Sequence, residues 1–341
     1  MRWRTRRIFC ERARFSSRRW AGMSFDLNPR VICLGGGHGL AATLSAVRKI
    51  TSQITAIVTV ADNGGSSGRL REEFPIFPPG DLRMALAALC GDDQWGRSWA
   101  DILQYRFTSN GPLDGHAVGN LLLAALWDRD VDPVDGLDRV AQLLKVVGRV
   151  LPMASVPLDI EATFDDAGAL HHVRGQVEVA TAHGKLKSLH LVPENPTALP
   201  AALEAIQEAH WITVGPGSWF SSVLPHFLVR EQLAALEKTS AKKVIILNLD
   251  SHPEAKADEF AGYTPIEHLE MLREYAPTMK IDHVLVDQYE LGDSQRLQLL
   301  VESFGGVLKV ADLRKSPGSL HHDVEKLFSV LSHIMGKSLV G

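Results

Sequence analysis

The sequence predicts an α/β protein in which a mostly parallel sheet is covered by helices on both faces and carries a small β insertion. Short apolar runs rich in β-branched residues alternate with helix-patterned segments from Arg30 onward, which is the order that builds such a sheet. The runs are continuous, as expected for parallel strands that are buried on both faces. Glycine-rich turns follow several of the runs, where a strand passes into a helix.

The first two strands are predicted at residues 30–34 and 54–60, and helices follow near 80–90, 97–106, 116–127 and 134–146. Segments near 150–160 and 172–192 alternate apolar and polar residues, which predicts antiparallel strands in an insertion at about 150–192. Parallel strands return at 211–214, 244–249, 283–286 and 307–310, each separated from the next by a helical segment. Residues 23–341 are therefore interpreted as a single α/β domain.

The composition is that of a globular protein, because 45% of the 341 residues are hydrophobic and 22% are charged. The three cysteines, Cys10, Cys33 and Cys90, include no C-x-x-C pair. This argues against a disulfide framework or a structural zinc site and favours a cytoplasmic location. No apolar run reaches the roughly 18 residues that a transmembrane helix needs, so no membrane insertion is expected.

The N-terminal segment differs in charge from the rest of the chain. Residues 1–22 contain eight arginines and one acid, a net charge of +7, so the remainder carries −11 of the formal total of −4. The segment lacks the apolar stretch of a secretory signal peptide. We expect a transit peptide, a basic nucleic-acid arm, or untranslated sequence upstream of a true start at Met23, and we favour the last. If the extension is translated, we expect it to be disordered. The acidic remainder argues against a nucleic-acid-binding face.

The first candidate loop, residues 35–39, joins the first strand to a helix (the first glycine loop). Its glycines would let the backbone approach a phosphate, and the helix N-terminus would supply free N–H donors. Leu40 stands where a dinucleotide motif has its third glycine, and no Gly-Lys-Ser/Thr follows, so neither standard nucleotide motif is present. The alternative is a tight turn that serves packing alone. The candidate ligand-binding residues are Gly35, Gly36, Gly37, His38 and Gly39.

The second loop, residues 62–69, follows the second strand and is called the anion loop. An acid at this place suits a ribose hydroxyl or a metal ion, and Mg²⁺ is the metal that Asp62 would hold. Glycines, hydroxyls and an arginine together suit an oxyanion, whereas a plain polar loop is the alternative. The candidates are Asp62, Gly64, Gly65, Ser66, Ser67 and Arg69. An Arg69→Ala variant is expected to lose ligand affinity with little change in stability.

Three further places carry candidates. Asp81 is an N-cap or a site residue, and Arg83 in the same first helical turn opposes the helix dipole, which favours a functional role. A second glycine loop, residues 215–218, repeats the strand–turn–helix pattern and contributes Gly215, Gly217 and Ser218. His116 and Asn120 lie four residues apart, so on a helix both would reach one ligand; a capped helix with an incidental histidine is the alternative.

Other chemistries have little support. The 14 histidines show no H-E-x-x-H or other tight ligand spacing. No G-x-S-x-G elbow occurs, so no catalytic residue is assigned. A nicotinamide-dependent oxidoreductase would fit the first strand, turn and helix, but it would not explain the Gly-Gly-Ser-Ser-Gly-Arg run.

Several motifs occur together in a fixed order: GGGHGL, VTVADNGGSSGRLREEF, PPGDLRMALAAL, LQYRF, GHAVGNLLLAAL, GRVLPM and GPGSWFSSVLPH. Over about residues 30–335 the chain resembles the bacterial gluconeogenesis-factor family, in the 2-phospho-L-lactate transferase (CofD-like) superfamily. The resemblance implies a three-layer, Rossmann-like fold. It also implies binding of UDP-sugars and a cytosolic role in cell shape and envelope growth on gluconeogenic carbon sources. The related transferases use magnesium to join a phospholactyl group to a deazaflavin precursor.

The chain departs from the family pattern in two places. Relatives usually carry a second aspartate where this chain has Asn63, which weakens a two-carboxylate metal site. Some relatives carry an arginine that contacts sugar nucleotides and a phosphorylated threonine where this chain has His321 and Val324. Neither role is transferred to these two residues.

The expected function is therefore that of a cytoplasmic regulator that binds a nucleotide sugar, without nucleic acid and without membrane insertion. In this hypothesis the two glycine loops face the pyrophosphate, and the anion loop contacts phosphate, ribose or sugar. Self-association and contacts with cell-envelope regulatory proteins of unknown identity stay open. The alternative is a transferase that moves a phospholactyl-type group, with Asp62 and Asp81 holding Mg²⁺.

Overall fold

The computed structural model describes residues 28–129, 132–249 and 263–336. The basic segment 1–22 and the expected start at Met23 lie outside these residues. Within the described part, ten strands form two sheets. The strands are β1 (Val31–Gly35), β2 (Ile54–Val58), β3 (Arg149–Pro152), β4 (Asp159–Asp166), β5 (Ala169–Arg174), β6 (Lys185–Val192), β7 (Trp211–Val214), β8 (Lys242–Ile246), β9 (His283–Asp287) and β10 (Val307–Ala311).

Helices connect and cover the strands. They are α1 (Gly37–Val47), α2 (Gly65–Glu73), α3 (Pro79–Leu89), α4 (Gln94–Gln104), α5 (Val118–Arg129), α6 (Pro133–Leu144), α7 (Gln176–Thr181), α8 (Pro200–Glu208), α9 (Pro225–Leu228), α10 (Arg230–Lys238), α11 (Pro265–Tyr275), α12 (Ser294–Ser303) and α13 (Val324–Ile334). A π-helical turn, Trp219–Val223, precedes α9. In this part of the chain, every helix falls short of the length and apolarity needed to cross a bilayer.

The large sheet has the order β10-β9-β8-β7-β1-β2-β3, and each neighbouring pair is parallel. Every residue of β1 and β7 is buried, which explains their continuous apolar sequences. One group of helices packs around α1 and α3, and α8 packs against α10 in another group. The predicted α/β fold with a mostly parallel sheet is confirmed.

The small sheet is antiparallel, with the order β5-β4-β6. Its central strand β4 alternates between buried and partly exposed residues, which is the pattern of a sheet with one face on the core. The antiparallel strand expected near residue 150 is wrong, because β3 pairs in parallel with β2. The run Val150–Pro152 is buried throughout, as a strand inside a parallel sheet requires.

Two strands end earlier than the apolar pattern predicts, and the residues that follow them line the candidate site described below. Strand β2 ends at Val58 and β8 at Ile246, although apolar residues continue beyond both. The residues between the end of each strand and the start of the next helix lie at the carboxyl edge of the sheet. Open α/β sheets bind their ligands at this edge. Cys33 and Cys90 are buried free thiols.

His226 is buried behind the first glycine loop. Its Nδ1 accepts a hydrogen bond from Gln232 Nε2 at 2.8 Å, and its Nε2 lies 3.5 Å from the Gly35 carbonyl oxygen. Burial lowers the pKa of His226 to about 4, although the Gly35 hydrogen bond opposes the shift. The imidazole is therefore neutral in the folded protein at pH 7.

We expect His226 to make folding sensitive to acid. Because its pKa is lower when folded, the unfolded chain binds the extra proton, so stability is full above about pH 6.5 and is lost towards pH 4. The loss from this group approaches about 3 kcal/mol. Urea unfolding at pH 7, 5.5 and 4.5 should show a shallower pH dependence for His226→Gln than for the wild type. Parallel curves for the two proteins would contradict the prediction.

Candidate functional site

A cavity of about 650 Å³ lies at the carboxyl edge of the large sheet. It runs past the ends of β2, β1, β7 and β8 and is lined by the anion loop, both glycine loops and the start of α3. The predicted residues that line it are Gly36, Gly37, His38, Gly39, Asp62, Gly64, Gly65, Ser66, Ser67, Asp81, Arg83, Asn120, Gly217 and Ser218. The fold thus brings together residues as far apart in the sequence as Gly36 and Ser218.

Four predicted residues, Gly35, Arg69, His116 and Gly215, do not line the cavity. Other lining residues were not predicted from the sequence, and they include Arg106, Gln176, Ser222, Asn248, His321 and His322. Asn248 follows β8 in the same way that the predicted loops follow their strands, so its position was a usable signal. Gln176 and Arg106 carry no comparable signal, because neither directly follows a strand of the large sheet.

Close packing explains two glycines of the first loop. A Cβ at Gly39 would lie 2.2 Å from the carbonyl oxygen of Pro216, so the two glycine loops touch there. A Cβ at Gly36 would lie 2.4 Å from Asp81 Oδ2. The first glycine loop therefore has a packing role in addition to lining the cavity, and a carboxylate lies against its helix entrance.

In the anion loop, Asp62 Oδ1 accepts a hydrogen bond from the Gly64 N–H at 2.8 Å. Its other oxygen lies close to Gly80, where a Cβ would approach it to 2.6 Å. Ser67 Oγ accepts from the Gly80 N–H at 3.0 Å and so joins the loop to α3. These contacts fix the Asp62 carboxylate at the cavity wall.

The carboxylates of Asp62 and Asp81 both line the cavity. In the described part of the chain, no group of three or more acidic, histidine or cysteine side chains is placed to hold a metal. A site with so few protein ligands fits Mg²⁺, which keeps several waters and relies on ligand phosphates. When bound, Mg²⁺ would supply charge neutralisation for those phosphates, with Asp62 and Asp81 as its protein ligands.

Ser66 is the centre of a buried hydrogen-bond network. Its Oγ accepts from Asn120 Nδ2 at 3.0 Å and from the Ala117 N–H at 3.4 Å. The hydroxyl proton therefore points to His116 Nδ1, 3.0 Å away, which leaves the imidazole proton on Nε2. His116 and Asn120 thus meet at one partner, Ser66, but not through the predicted helix face, because α5 begins at Val118 and His116 lies in the segment before it.

Arg83 is buried and faces the cavity. It is 3% exposed, and its Nε donates to Asn120 Oδ1 at 2.8 Å. Its Nη1 is buried and finds no hydrogen-bond partner among the described residues. Burial, helped by the charge of Arg106, lowers the pKa of Arg83 to about 10, so the guanidinium remains charged at neutral pH. The carboxylates of Asp81 and Asp62 lie near enough to oppose this shift. A buried cation with a free N–H at a cavity wall has the chemistry that suits an anion.

Other buried polar atoms at the cavity also lack partners within the described chain. They are Gln176 Oε1, Ser218 Oγ and His322 Nε2. Burial lowers the pKa of His322 to about 4, so its ring is neutral. The rings of His38 and His321 lie 6.4 Å apart at the cavity mouth. Unpaired buried polar groups are costly, so a cavity lined by several of them is chemically suited to a polar ligand.

Arg69 does not contact the cavity, contrary to the expected direct role. The side chain is exposed, and it donates to the carbonyls of Pro112 at 3.3 Å and Asp114 at 2.7 Å. Arg106 Nη1 donates to the Gly115 carbonyl at 2.8 Å. The physical reason is helical geometry, because Ser66, Ser67 and Leu70 form the buried face of α2 and Arg69 lies at the edge of that face, where it reaches the segment 112–114. Arg69 therefore fixes the segment that follows Arg106.

We expect Arg69→Ala to weaken ligand binding by less than the loss of a direct contact with the ligand would. Loss of two hydrogen bonds to an exposed segment should lower ligand affinity about 3- to 10-fold through a less well-held Arg106. Calorimetry would measure the affinity, and Arg97→Ala on α4 is a matched exposed control. A loss beyond about 100-fold, the effect of a direct charged contact, would show that Arg69 contacts the ligand directly.

Asn63 faces α7, the short helix between β5 and β6. Its Oδ1 accepts from the Val177 N–H at 3.1 Å, and its Nδ2 donates to Glu178 Oε2 at 3.0 Å. Its side chain is absent from the cavity lining, and the weakened two-carboxylate metal site stays a prediction. Val324 begins α13, behind the capping side chain of Asp323.

Comparison with known proteins agrees with these motifs. The family model for 2-phospho-L-lactate transferase CofD matches residues 31–303. The gluconeogenesis factor of Bacillus subtilis is 36% identical over 275 residues, which cover 81% of this chain and 84% of the relative. A Mycobacterium tuberculosis protein, provisionally named a gluconeogenesis factor, is 44% identical over 316 residues, covering 91% of both chains.

A solved structure supports the same assignment. The crystal structure of a UPF0052-family protein from Bacillus halodurans superposes with a TM-score of 0.77 at 32% identity, covering 91% of this chain and 99% of that chain. The chain therefore belongs to the CofD family, and its relatives at 35–44% identity are gluconeogenesis factors.

Proposed function

We propose that the protein is a nucleotide-sugar-binding regulator of cell shape and envelope growth during growth on gluconeogenic carbon sources. The observation that carries the binding part is Arg83, a buried cation whose Nη1 points to no partner in the described chain. A phosphate or pyrophosphate is the anion that suits it. The physiological part rests on the name of the relatives and on the family resemblance. The proposed location is the cytoplasm.

The cavity has a charged region and an uncharged region. Arg83 and Arg106 lie beside the anion loop, near the carboxylates of Asp62 and Asp81, and the N-terminus of α2 adds N–H donors there. We place the diphosphate at this end, against the two cations and the helix N-terminus, rather than at the two glycine loops as expected from the sequence. Towards β8 the lining side chains are uncharged, and they include Asn248, Leu249 and Leu320. That end suits a neutral part of the ligand. UDP-sugars combine both chemistries in one molecule, and they are the ligands that we propose.

Thermal shift followed by calorimetry tests the proposal. The wild-type protein would be screened against UDP-N-acetylglucosamine, UDP-glucose, UDP, GDP, NAD and a deazaflavin precursor. A ligand present at 100 times its dissociation constant stabilises the fold by about 2.7 kcal/mol, which is readily measured. Binding of UDP-sugars in preference to GDP and NAD supports the proposal. Failure of every UDP compound to bind at millimolar concentration would overturn it.

The transferase alternative has one observation in its favour, since Asp62 and Asp81 both line the cavity. The protein would be incubated with Mg²⁺, a nucleotide-activated phospholactate and the deazaflavin precursor, and the product followed by mass spectrometry. Multiple turnovers that Asp62→Asn abolishes would establish the enzyme. UDP-sugar binding without turnover would support the regulator.

A further inference from the structure

We infer that Gln176, the first residue of α7, is a specificity-determining residue that hydrogen-bonds a hydroxyl of the ligand's glycosyl group. The inference rests on the proposed function, because it takes the ligand to be a nucleotide sugar. It assigns to α7, the short helix between β5 and β6, a direct part in ligand recognition.

Only one of the two polar atoms of the Gln176 side-chain amide has a hydrogen-bond partner in the described chain. Its Nε2 donates to Ser221 Oγ at 3.4 Å in the π-helical turn, while its Oε1 is buried and has no partner in the described chain. The residue lines the cavity beside the anion loop and the second glycine loop. The cost of burying this unpaired atom is recovered when a ligand group pairs with it.

A hydroxyl group is the partner that fits best. Gln176 is uncharged, so its hydrogen bond to a phosphate would be much weaker than that of the charged Arg83. A hydroxyl both donates and accepts, and it therefore pairs with either end of a carboxamide. Ser218 Oγ, from the turn that carries Ser221, is a second buried neutral group without a partner in the described residues. Two such groups near each other suit a ligand that carries several hydroxyls.

One side chain of the anion loop holds α7. Asn63 bonds both the Val177 N–H and the Glu178 carboxylate, and a Cβ at Gly64 would touch Val177 Cγ2 at 3.2 Å. Arg71 separately joins the loop to β4, because it donates to the Asp62 carbonyl at 3.1 Å and to Asp159 at 2.9 Å. The loop placed for the phosphates and the helix that carries Gln176 are therefore joined.

The amide at position 63 matches the carboxylate at position 178. An aspartate at 63 would still accept from the Val177 N–H, but its second oxygen would face Glu178 at the present 3.0 Å. Like charges at that distance repel each other. Asn63 is a positioning residue, and the pair determines where Gln176 lies.

The first test compares UDP-N-acetylglucosamine with UDP, which lacks the glycosyl group. By calorimetry, Gln176→Leu should weaken binding of the UDP-sugar about 5- to 10-fold, the loss typical of one neutral hydrogen bond. Affinity for UDP should stay within twofold. Gln298→Leu, an exposed glutamine on α12 bonded to Glu302, is the matched control. An equal loss for both ligands, or no loss for either, would overturn the inference.

The second test uses charge rescue and does not depend on the first. Asn63→Asp should lower the preference for UDP-N-acetylglucosamine over UDP. Adding Glu178→Gln should restore the preference, because the amide introduced on α7 can donate to the carboxylate introduced in the anion loop. Failure of the double variant to restore the preference, with melting temperatures near wild type, would remove the positioning role.

The two tests also separate this inference from the proposed function. If the wild type binds neither UDP-N-acetylglucosamine nor UDP, the proposed function itself is refuted. If it binds both and the Gln176 variant changes nothing, only this inference is lost.

Discussion

Replacing Arg83 by leucine is expected to weaken nucleotide-sugar binding about 100-fold or more. The guanidinium is buried at the cavity wall, and its Nη1 has no partner in the described chain. Removing one member of a desolvated charged pair costs about 2–5 kcal/mol. Leucine keeps much of the side-chain volume, so the loss would report charge and hydrogen bonding more than shape. Calorimetry with UDP-N-acetylglucosamine measures the effect.

The stability of the protein without ligand should change little in the Arg83→Leu variant. The variant leaves Asn120 Oδ1 without its donor, a loss of about 1 kcal/mol, but it also removes a poorly compensated buried charge. The free energy of unfolding without ligand is therefore expected to change by no more than about 1 kcal/mol. Arg296→Ala, which breaks an exposed pair with Glu270, is a control for both measurements. Unchanged affinity combined with a large loss of stability would assign Arg83 to the fold.

Gly39→Ala is expected to damage both the fold and the site. A methyl group there would lie 2.2 Å from the Pro216 carbonyl oxygen. The atoms that it would meet are backbone atoms of the second glycine loop, which cannot move aside as a flexible side chain could. The free energy of unfolding should fall by about 2–3 kcal/mol, the upper part of the range for overpacking. Because the two glycine loops must separate, UDP-sugar affinity should fall at least 10-fold. Urea unfolding and calorimetry measure the two effects.

Gly111→Ala provides the matched control for this glycine. A Cβ at Gly111 would meet only Ser109 Oγ at 4.0 Å, so the substitution should leave the unfolding free energy within about 0.5 kcal/mol. If Gly39→Ala behaves like Gly111→Ala, the glycine loops are free to move apart. The close contact would then have no part in forming the site.

The sequence was most informative about the central strands. The runs that became β1, β2 and β7 are continuous and apolar, and burial on both faces is what such runs require. The small sheet was located, but α7 was missed inside the predicted strand segment. Gly175, with φ +109°, ends β5 and turns the chain into the short helix. A single glycine in an alternating segment does not distinguish a bulge from a helix start.

The candidate site was predictable where its residues follow strands. Asp62, Ser66 and Gly217 occupy such places, and the carboxyl edge of the sheet brings them together. Arg69 was misplaced because a loop motif does not show which of its side chains face outward once the segment becomes helix. The contacts of Asn63 could not be predicted, because its partners, Val177 and Glu178, lie more than 110 residues away. Contacts of that kind depend on tertiary packing.

The contact between Gly39 and Pro216 has a consequence for the order in which the site forms. It joins the turns after β1 and β7, neighbours in the sheet whose paired residues Val31 and Trp211 are 180 positions apart. Closing so long a loop is a non-local event that local helix formation cannot replace. During synthesis, the first glycine loop and the anion loop leave the ribosome long before β7 does. The two glycine loops therefore meet only after residue 217 has been made, and the cavity is completed later still, by residues 320–322.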